Sequence, residues 1–448
     1  MLRCFSFAIL LLVLATLIQK GAAAGPPSEW PQWRGPDGQG HAPADVRGLP
    51  LEWSETNHVT WKTPIPGRGH SSPVIGNGQL WVTTAVETPA SPEVAERRKK
   101  SDTGGQPLNI LSEVALMAVC LDLASGKGVR EVEVFRAKDP QWVHQQNSYA
   151  SPTPVLDGDR LFLHYGSLGT ACLDAVSGKI LWLNRELEVM HENGPGSSPV
   201  LWRNHLIVHF DGSDAQFIAA FDRNTGKIAW KTARSGKMGS HPQLRKSYGT
   251  PLIAEFNGQT EVLSPAADWL YSYDPATGSE RWKMPYEITG FSIVPRPVLG
   301  HGMIYFSTSF MKSELLAVKY DGTRPPEIAW RWKRSVPQTP SPILVDDCLY
   351  FVSDSGGLLT CLDAKSGEAN YQERLGGNFS ASPTYADGRL YFHDRDGITT
   401  VIQPGKSFKV LARNSLDGPH MASAAVADRS LFLRTDKALY RIQGPPLQ

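Results

Sequence analysis

Two acidic stretches, Asp211-Gly212-Ser213-Asp214 and Asp394-Arg395-Asp396-Gly397, are spelled like the oxygen-rich loops that hold Ca²⁺. Each also falls between two apolar runs, where Asp and Gly are what a hairpin turn needs, and the turn reading takes precedence. Cys120, Cys172 and Cys361 each stand directly before Leu-Asp, which marks one recurring small buried position rather than a thiol site. Cys348 and Cys361 fall on what read as neighbouring strands of one hairpin, a geometry that seldom suits a disulfide. No Ser-His-Asp or His-Glu-His spacing is legible, so nucleophilic catalysis and metal-assisted hydrolysis find no support and no metal site is assigned. What does recur is a set of polar side chains just ahead of a repeated proline motif: Arg68, His70, Asn147, Tyr149, His191, Asn193, Arg296, Gln338, Asn378 and His420. Amides, imidazoles and two arginines, with hardly a carboxylate among them, suit a pocket that holds and orients an anion. The same residue types would also satisfy strand ends and ordered water at any wet channel mouth.

The elements that position these residues are repeats. One motif is Asp-x-x-(Ser/Thr)-Gly followed by Trp, as in residues 174–178 with Trp182, 222–226 with Trp230 and 274–278 with Trp282. Weaker copies precede Trp330 and Tyr371. The second motif is a small residue, Pro and an apolar residue, centred on Pro73, Pro154, Pro199, Pro251, Pro297, Pro342 and Pro383, with a proline-less copy at residues 423–426. Between them lie alternating runs such as Leu349-Tyr350-Phe351, preceded by turn residues. Asp and Ser cap local N–H groups while Gly takes positive φ, so each unit reads as four strands joined by tight turns. Repetition of that unit predicts an all-β, eight-bladed β-propeller of four-stranded antiparallel blades. The last unit supplies only three strands. Residues 58–62, carrying Trp61, are expected to add the fourth and close the ring without free edges. In such a ring the polar residues ahead of each proline converge on one central funnel. Residues 87–113, with Arg97-Arg98-Lys99-Lys100, read as a solvated surface insertion with room for a short helix rather than as sheet.

The Asp-x-x-(Ser/Thr)-Gly-Lys-x-x-Trp element at residues 174–182 and 222–230 resembles the tryptophan-docking motif of the pyrroloquinoline-quinone (PQQ) repeat propellers. That family includes quinoprotein alcohol dehydrogenases and a lipoprotein of outer-membrane assembly. The opening Trp30-Pro31-Gln32-Trp33-Arg34-Gly35-Pro36 is similar to the start of exported, uncharacterised PQQ-like propellers. The resemblance implies that Trp61, Trp182, Trp230, Trp282 and Trp330 pack between adjacent blades. It also brings PQQ and Ca²⁺ into consideration as cofactors, although neither is assigned. The adjacent cysteine pair that stacks the quinone in dehydrogenases is missing, as are a Cys-x-x-Cys-His haem motif and an assignable Asp base.

Arg3, the apolar run from Phe5 to Ile18 and Ala22-Ala23-Ala24 read as a signal peptide over residues 1–24, which predicts a periplasmic or extracellular protein. Residues 25–57 form an N-terminal extension, 58–444 the propeller and 445–448 a tail. No later stretch reaches the roughly 20 apolar residues of a membrane helix. With 45 Lys plus Arg against 44 Asp plus Glu, charge directs the chain neither to nucleic acid nor to an anionic membrane. The expected activity is that of a monomeric, non-catalytic binding or scaffolding module for an envelope protein or a small anionic or carbohydrate ligand. A PQQ-dependent dehydrogenase is the alternative. A carbohydrate-binding propeller, with exposed Trp142 and Trp202 stacking on sugar rings, is a second one.

Overall fold

The computed structural model describes residues 29–99 and 106–445, so the expected signal peptide lies outside the described residues. Eight four-stranded antiparallel sheets make an eight-bladed propeller. Seven blades are consecutive meanders. The first runs from the inner strand Val74–Gly76 to the outer strand Gly128–Lys138, and the seventh from Thr384–Ala386 to Val410–Ser415. The eighth blade takes Ala425–Ala427, Ser430–Arg434 and Ala438–Gln443 from the far end of the chain and Val59–Pro64 from the near end. Trp61 lies opposite Arg441 and Lys62 opposite Tyr440, so the ring is fastened by a sheet between the two ends of the chain.

Local chemistry explains each blade. Asp174 Oδ1 accepts from the Ser177 N–H at 2.7 Å and from its hydroxyl at 2.8 Å, while Gly178 sits at φ +77°. Asp222 and Thr225 repeat the arrangement ahead of Gly226. The apolar core lies between neighbouring blades: Phe162, Cys172 and Trp182 of the second pack with Leu206, Val208 and Phe210 of the third. Burial of whole side chains in this way, at about 1.5–3 kcal/mol for each large apolar residue, is the main force holding blade to blade. All four described cysteines are buried free thiols.

The tryptophans fall into two groups. Trp61, Trp182, Trp230 and Trp330 donate their indole N–H to Leu123, Arg223, Pro275 and Ala364 carbonyls of the next blade, at 2.9–3.2 Å. The turn glycines Gly126, Gly226, Gly278 and Gly367 face those rings, where a Cβ would come within 2.4–2.6 Å. Trp282 departs from the pattern. Its indole donates to Glu261 of its own blade at 3.0 Å, a buried carboxylate that also accepts from Ser272 and Tyr320.

The segment at 87–113 is not the sheet-free excursion its composition implies. Strands Gln79–Pro89 and Leu111–Asp122 of the first blade extend into it as a long hairpin, and the helix Pro92–Lys99 caps its tip. Alternating apolar residues, with Ala85, Leu111 and Val114 buried, carry the strands past the ordinary blade length. Trp142 and Trp202 are only partly exposed. Trp202 is covered by the Arg203 guanidinium, 4.7 Å from the ring centroid, and by the His205 ring, so it offers no open stacking face.

Candidate functional site

The residue before every blade proline but Pro297 is Ser or Thr for a reason the fold makes plain. The Ser72 N–H donates to Thr153 Oγ1, Thr153 to Ser198 Oγ and Ser198 to Thr250 Oγ1, each at 2.9 Å. On the other side of the ring Arg296 donates to Ser341 Oγ, Ser341 to Ser382 Oγ and Ser382 to Ser423 Oγ at 2.9–3.0 Å. These hydroxyls weld inner strand to inner strand around the channel. The belt is interrupted where Arg296 takes the place of Ser or Thr. The Ser72 hydroxyl itself is buried with no partner.

Below the belt the N-terminal segment crosses the channel. Trp30 bridges to Ile75, the Leu156 N–H donates to Pro31, the Leu299 N–H to Gln39 Oε1 at 2.6 Å, and the Ala42 N–H to Tyr385. Arg34 Nη2 donates to Pro342 at 2.8 Å, and Arg296 holds the Trp33 and Gly38 carbonyls at 3.1 and 3.2 Å. Five blades are thus tied to one plug. Above it lies a cavity of about 610 Å³, with Trp33 on its floor and Phe291 and Phe310 at its wall. The two phenylalanines come from the short ribbon Gly290–Phe291 and Phe310–Met311, their ring centroids 6.3 Å apart.

The ten polar residues ahead of the prolines divide sharply. His70, Asn147 and Asn193 line the cavity. Arg68 turns its guanidinium to the Gln145 carbonyl, and Tyr149 donates its hydroxyl to Gln141. His191 is buried behind the wall, its Nε2 accepting from the Ser167 N–H at 3.1 Å. Gln338 donates its N–H to Asp354, and Asn378 Oδ1 accepts from Gly356. His420 is buried against His393, ring centroids 5.5 Å apart. Arg296 lies in the plug beneath the floor. None of these seven lines the cavity.

The cations that do line it are Lys246 and Arg395. Lys246 is almost wholly buried and donates to Gln243 Oε1. Burial holds it below the usual lysine range, opposed by the charge of Glu192. Arg395 stands on one of the two hairpin turns spelled like a calcium loop and donates from Nε to Ser380 Oγ at 2.9 Å. That turn projects at the funnel, which a rule based only on residues before each proline misses. The same rule stops short of Lys246, a few residues earlier, and cannot see a floor built from the N-terminal extension.

No Asp or Glu lines the cavity among the described residues. Glu192 and Asp354 sit behind its wall, engaged by Ser213 and Gln243 and by Gln338 and Thr339. Arg34, Arg296 and Arg434 are buried around the channel, and none makes an ion pair among the described residues. Burial pushes Arg34 down to about 9, Arg296 to about 10 and Arg434 to about 9. His70 is pushed down to about 3 by burial first and then by Arg68, Arg434 and Arg395. With cations in the lining and the nearest carboxylates set behind it, the cavity favours an anion.

The residues of the channel do not suit a quinone held with Ca²⁺. Among the described residues no cluster of three or more His, Cys, Asp or Glu is placed to hold a metal, and the cavity wall offers no carboxylate. The free thiols lie within separate blade strands, not in an adjacent pair. The calcium–quinone pair of the dehydrogenases does not fit this donor set.

A family model described as "Outer membrane protein assembly factor BamB" matches residues 44–232, 117–355 and 269–407. A europium-containing methanol dehydrogenase superposes with a TM-score of 0.62 at 11% identity, covering 92% of this chain and 90% of its own. Quinohemoprotein alcohol dehydrogenase from Comamonas testosteroni gives 0.59 at 11% identity over 96% and 82%. BamB from Moraxella catarrhalis gives 0.51 at 12% identity over 80% and 98%. No curated protein matches by sequence. At such identities the solved structures establish the fold alone. With most of its length matched by the family model and its eight blades closed end to end, the chain belongs to the PQQ-repeat propeller family of BamB.

Proposed function

We propose that this protein is an exported binding propeller that holds a small anionic ligand in its central cavity and carries out no quinone chemistry. One observation supports the reading above the others: Lys246 and Arg395 line a cavity of about 610 Å³ with no carboxylate in its wall among the described residues. Lys246 is buried and Arg395 half-buried; a buried cation is costly unless paired, and an anion in the cavity would pair with it. Export rests on the leader-like residues 1–24, and no described helix is long and apolar enough to cross a membrane.

Calorimetric titration with citrate tests the proposal. Saturable binding is expected, weakened about tenfold, or about 1.4 kcal/mol, by Lys246→Gln or Arg395→Gln. Citrate binding that neither variant weakens, or absence of binding by every anionic probe, would reject it. The family's description supports a second reading, a protein partner in the envelope. The observation in its favour is the apolar rim of Phe310 and Met311, 38% and 70% exposed beside the cavity. Photo-crosslinking from position 311 in intact cells that captures one defined protein, and loss of that product in Phe310→Glu, would favour it.

A further inference from the structure

The anion-binding reading of the cavity leaves the ligand's chemical class open; taking that reading as the basis, the other groups around the cavity narrow the class. The lining also carries the amides of Gln106, Gln146 and Gln243 and the hydroxyls of Ser151 and Ser380. Amides and hydroxyls both donate and accept, which matches hydroxyl groups better than an ion made only of acceptor oxygens. A ligand with hydroxyl groups as well as negative charge matches this lining. Trp33 on the floor and Phe291 with Phe310 at the wall add aromatic side chains to the lining, which suit an apolar surface on the same molecule. A volume of about 610 Å³ lies within the ~300–1,000 Å³ range of small-molecule sites and far exceeds the need of a simple ion.

A pyranose combines these features: a face of C–H groups, a rim of hydroxyl donors and, in a uronic acid, a carboxylate. We propose that the cavity takes the end of an acidic oligosaccharide, with its carboxylate on Arg395 and the C–H face of a sugar ring on Phe291. Arg395 suits that role because its Nε and Nη2 are anchored to Ser380 and Phe379, which presets the guanidinium, while Nη1 makes no hydrogen bond among the described residues. The ribbon carrying Phe291 is held in shape by unusual backbone, with Ser292, Ser309 and Met311 at φ 51°, 59° and 76°. Non-glycine residues rarely adopt such angles, and three of them in one short ribbon fix its course.

The experiment is calorimetry on the purified full chain with trigalacturonate, maltotriose, citrate and benzenetricarboxylate as separate probes. Trigalacturonate is expected to bind saturably, at least about tenfold more tightly than maltotriose, and to lose about tenfold in Arg395→Gln and in Phe291→Ala. Phe291→Tyr should retain binding, and an unchanged melting curve shows that each variant is folded; Phe310→Ala replaces Phe291→Ala if the latter does not fold. Saturable binding of citrate or benzenetricarboxylate without trigalacturonate would overturn the carbohydrate assignment and leave the anion site standing. Equal binding of maltotriose and trigalacturonate would overturn the acidic specificity. No binding of any anion would overturn both readings together.

Discussion

Arg296 donates from Nη1 to the carbonyl oxygen of Trp33 at 3.1 Å, joining the fifth blade to the floor of the central cavity. In most other blades a Ser or Thr at this position bonds only to its neighbour in the belt. The arginine reaches further, to Gly38 as well as Trp33, and Nε returns to Pro251 at 3.0 Å. A Cβ on Gly38 would fall 2.3 Å from the guanidinium, so this contact needs a glycine.

Arg296→Met is expected to lower stability by about 2–4 kcal/mol. Two buried carbonyls and one half-buried one lose their donor, at about 1–3 kcal/mol for each buried group, and relief of a buried charge offsets part of that cost. Denaturant unfolding measures the total, and hydrogen exchange should show lost protection at Gly38 and Gly40. Unaltered protection there would mean that the plug is held by its other contacts.

Trp182→Ala and Trp230→Ala should each cost about 3–5 kcal/mol, since both rings are buried between blades and donate across the boundary. Trp282→Ala should cost less. Its ring is only partly buried, and Glu261 keeps Ser272 and Tyr320 as donors. Equal losses at all three positions would contradict the two-group division.

Gly226→Ala introduces a Cβ 2.4 Å from the Trp182 ring at φ +70°, whereas Gly258→Ala at φ +73° meets open space. The second substitution should cost only the left-handed backbone strain, about 1–2 kcal/mol. The first should exceed it by the displacement of a buried indole. Thermal melts of the pair isolate the packing contribution, which is absent if the two variants melt together.

Acid should destabilise the fold through its buried histidines. Burial pushes His191 and His420 down to about 4 from an ordinary 6.5. The unfolded chain therefore binds more protons between those values. Their contribution is complete above about 6.5 and is lost as pH falls toward 4. Unfolding free energy measured across that window should decline on acidification, and His420→Gln should flatten the slope. A slope identical in the variant would assign the acid sensitivity to other groups.

Blade number, blade order and ring closure were legible from short-range features. The turn Asp, its Ser or Thr and the following Gly act within five residues, and strand patterning has a period of two, so each unit announces itself in one pass along the chain. Trp61 could be placed in the last blade because it repeats the position of Trp182 and Trp230 relative to the next proline motif. The orientation of the polar residues was not legible in this way. His70, Asn147 and Asn193 face the cavity, while Arg68, Tyr149 and Arg296 from equivalent stretches turn to backbone carbonyls.

The reason is the range of the competing contacts. Residue types and local spacing specify the turns, the alternation and the repeat, and these suffice for an eight-bladed closed ring. Where a long side chain points depends on which carbonyl the assembled ring brings near it. Arg296 finds Gly38 across 258 residues of sequence, and Asn414 fixes Trp53 across 361. Lys246, Arg395, Trp33 and Phe291 meet around one cavity for the same reason: ring closure and an N-terminal plug bring together segments whose sequences carry no mark of each other.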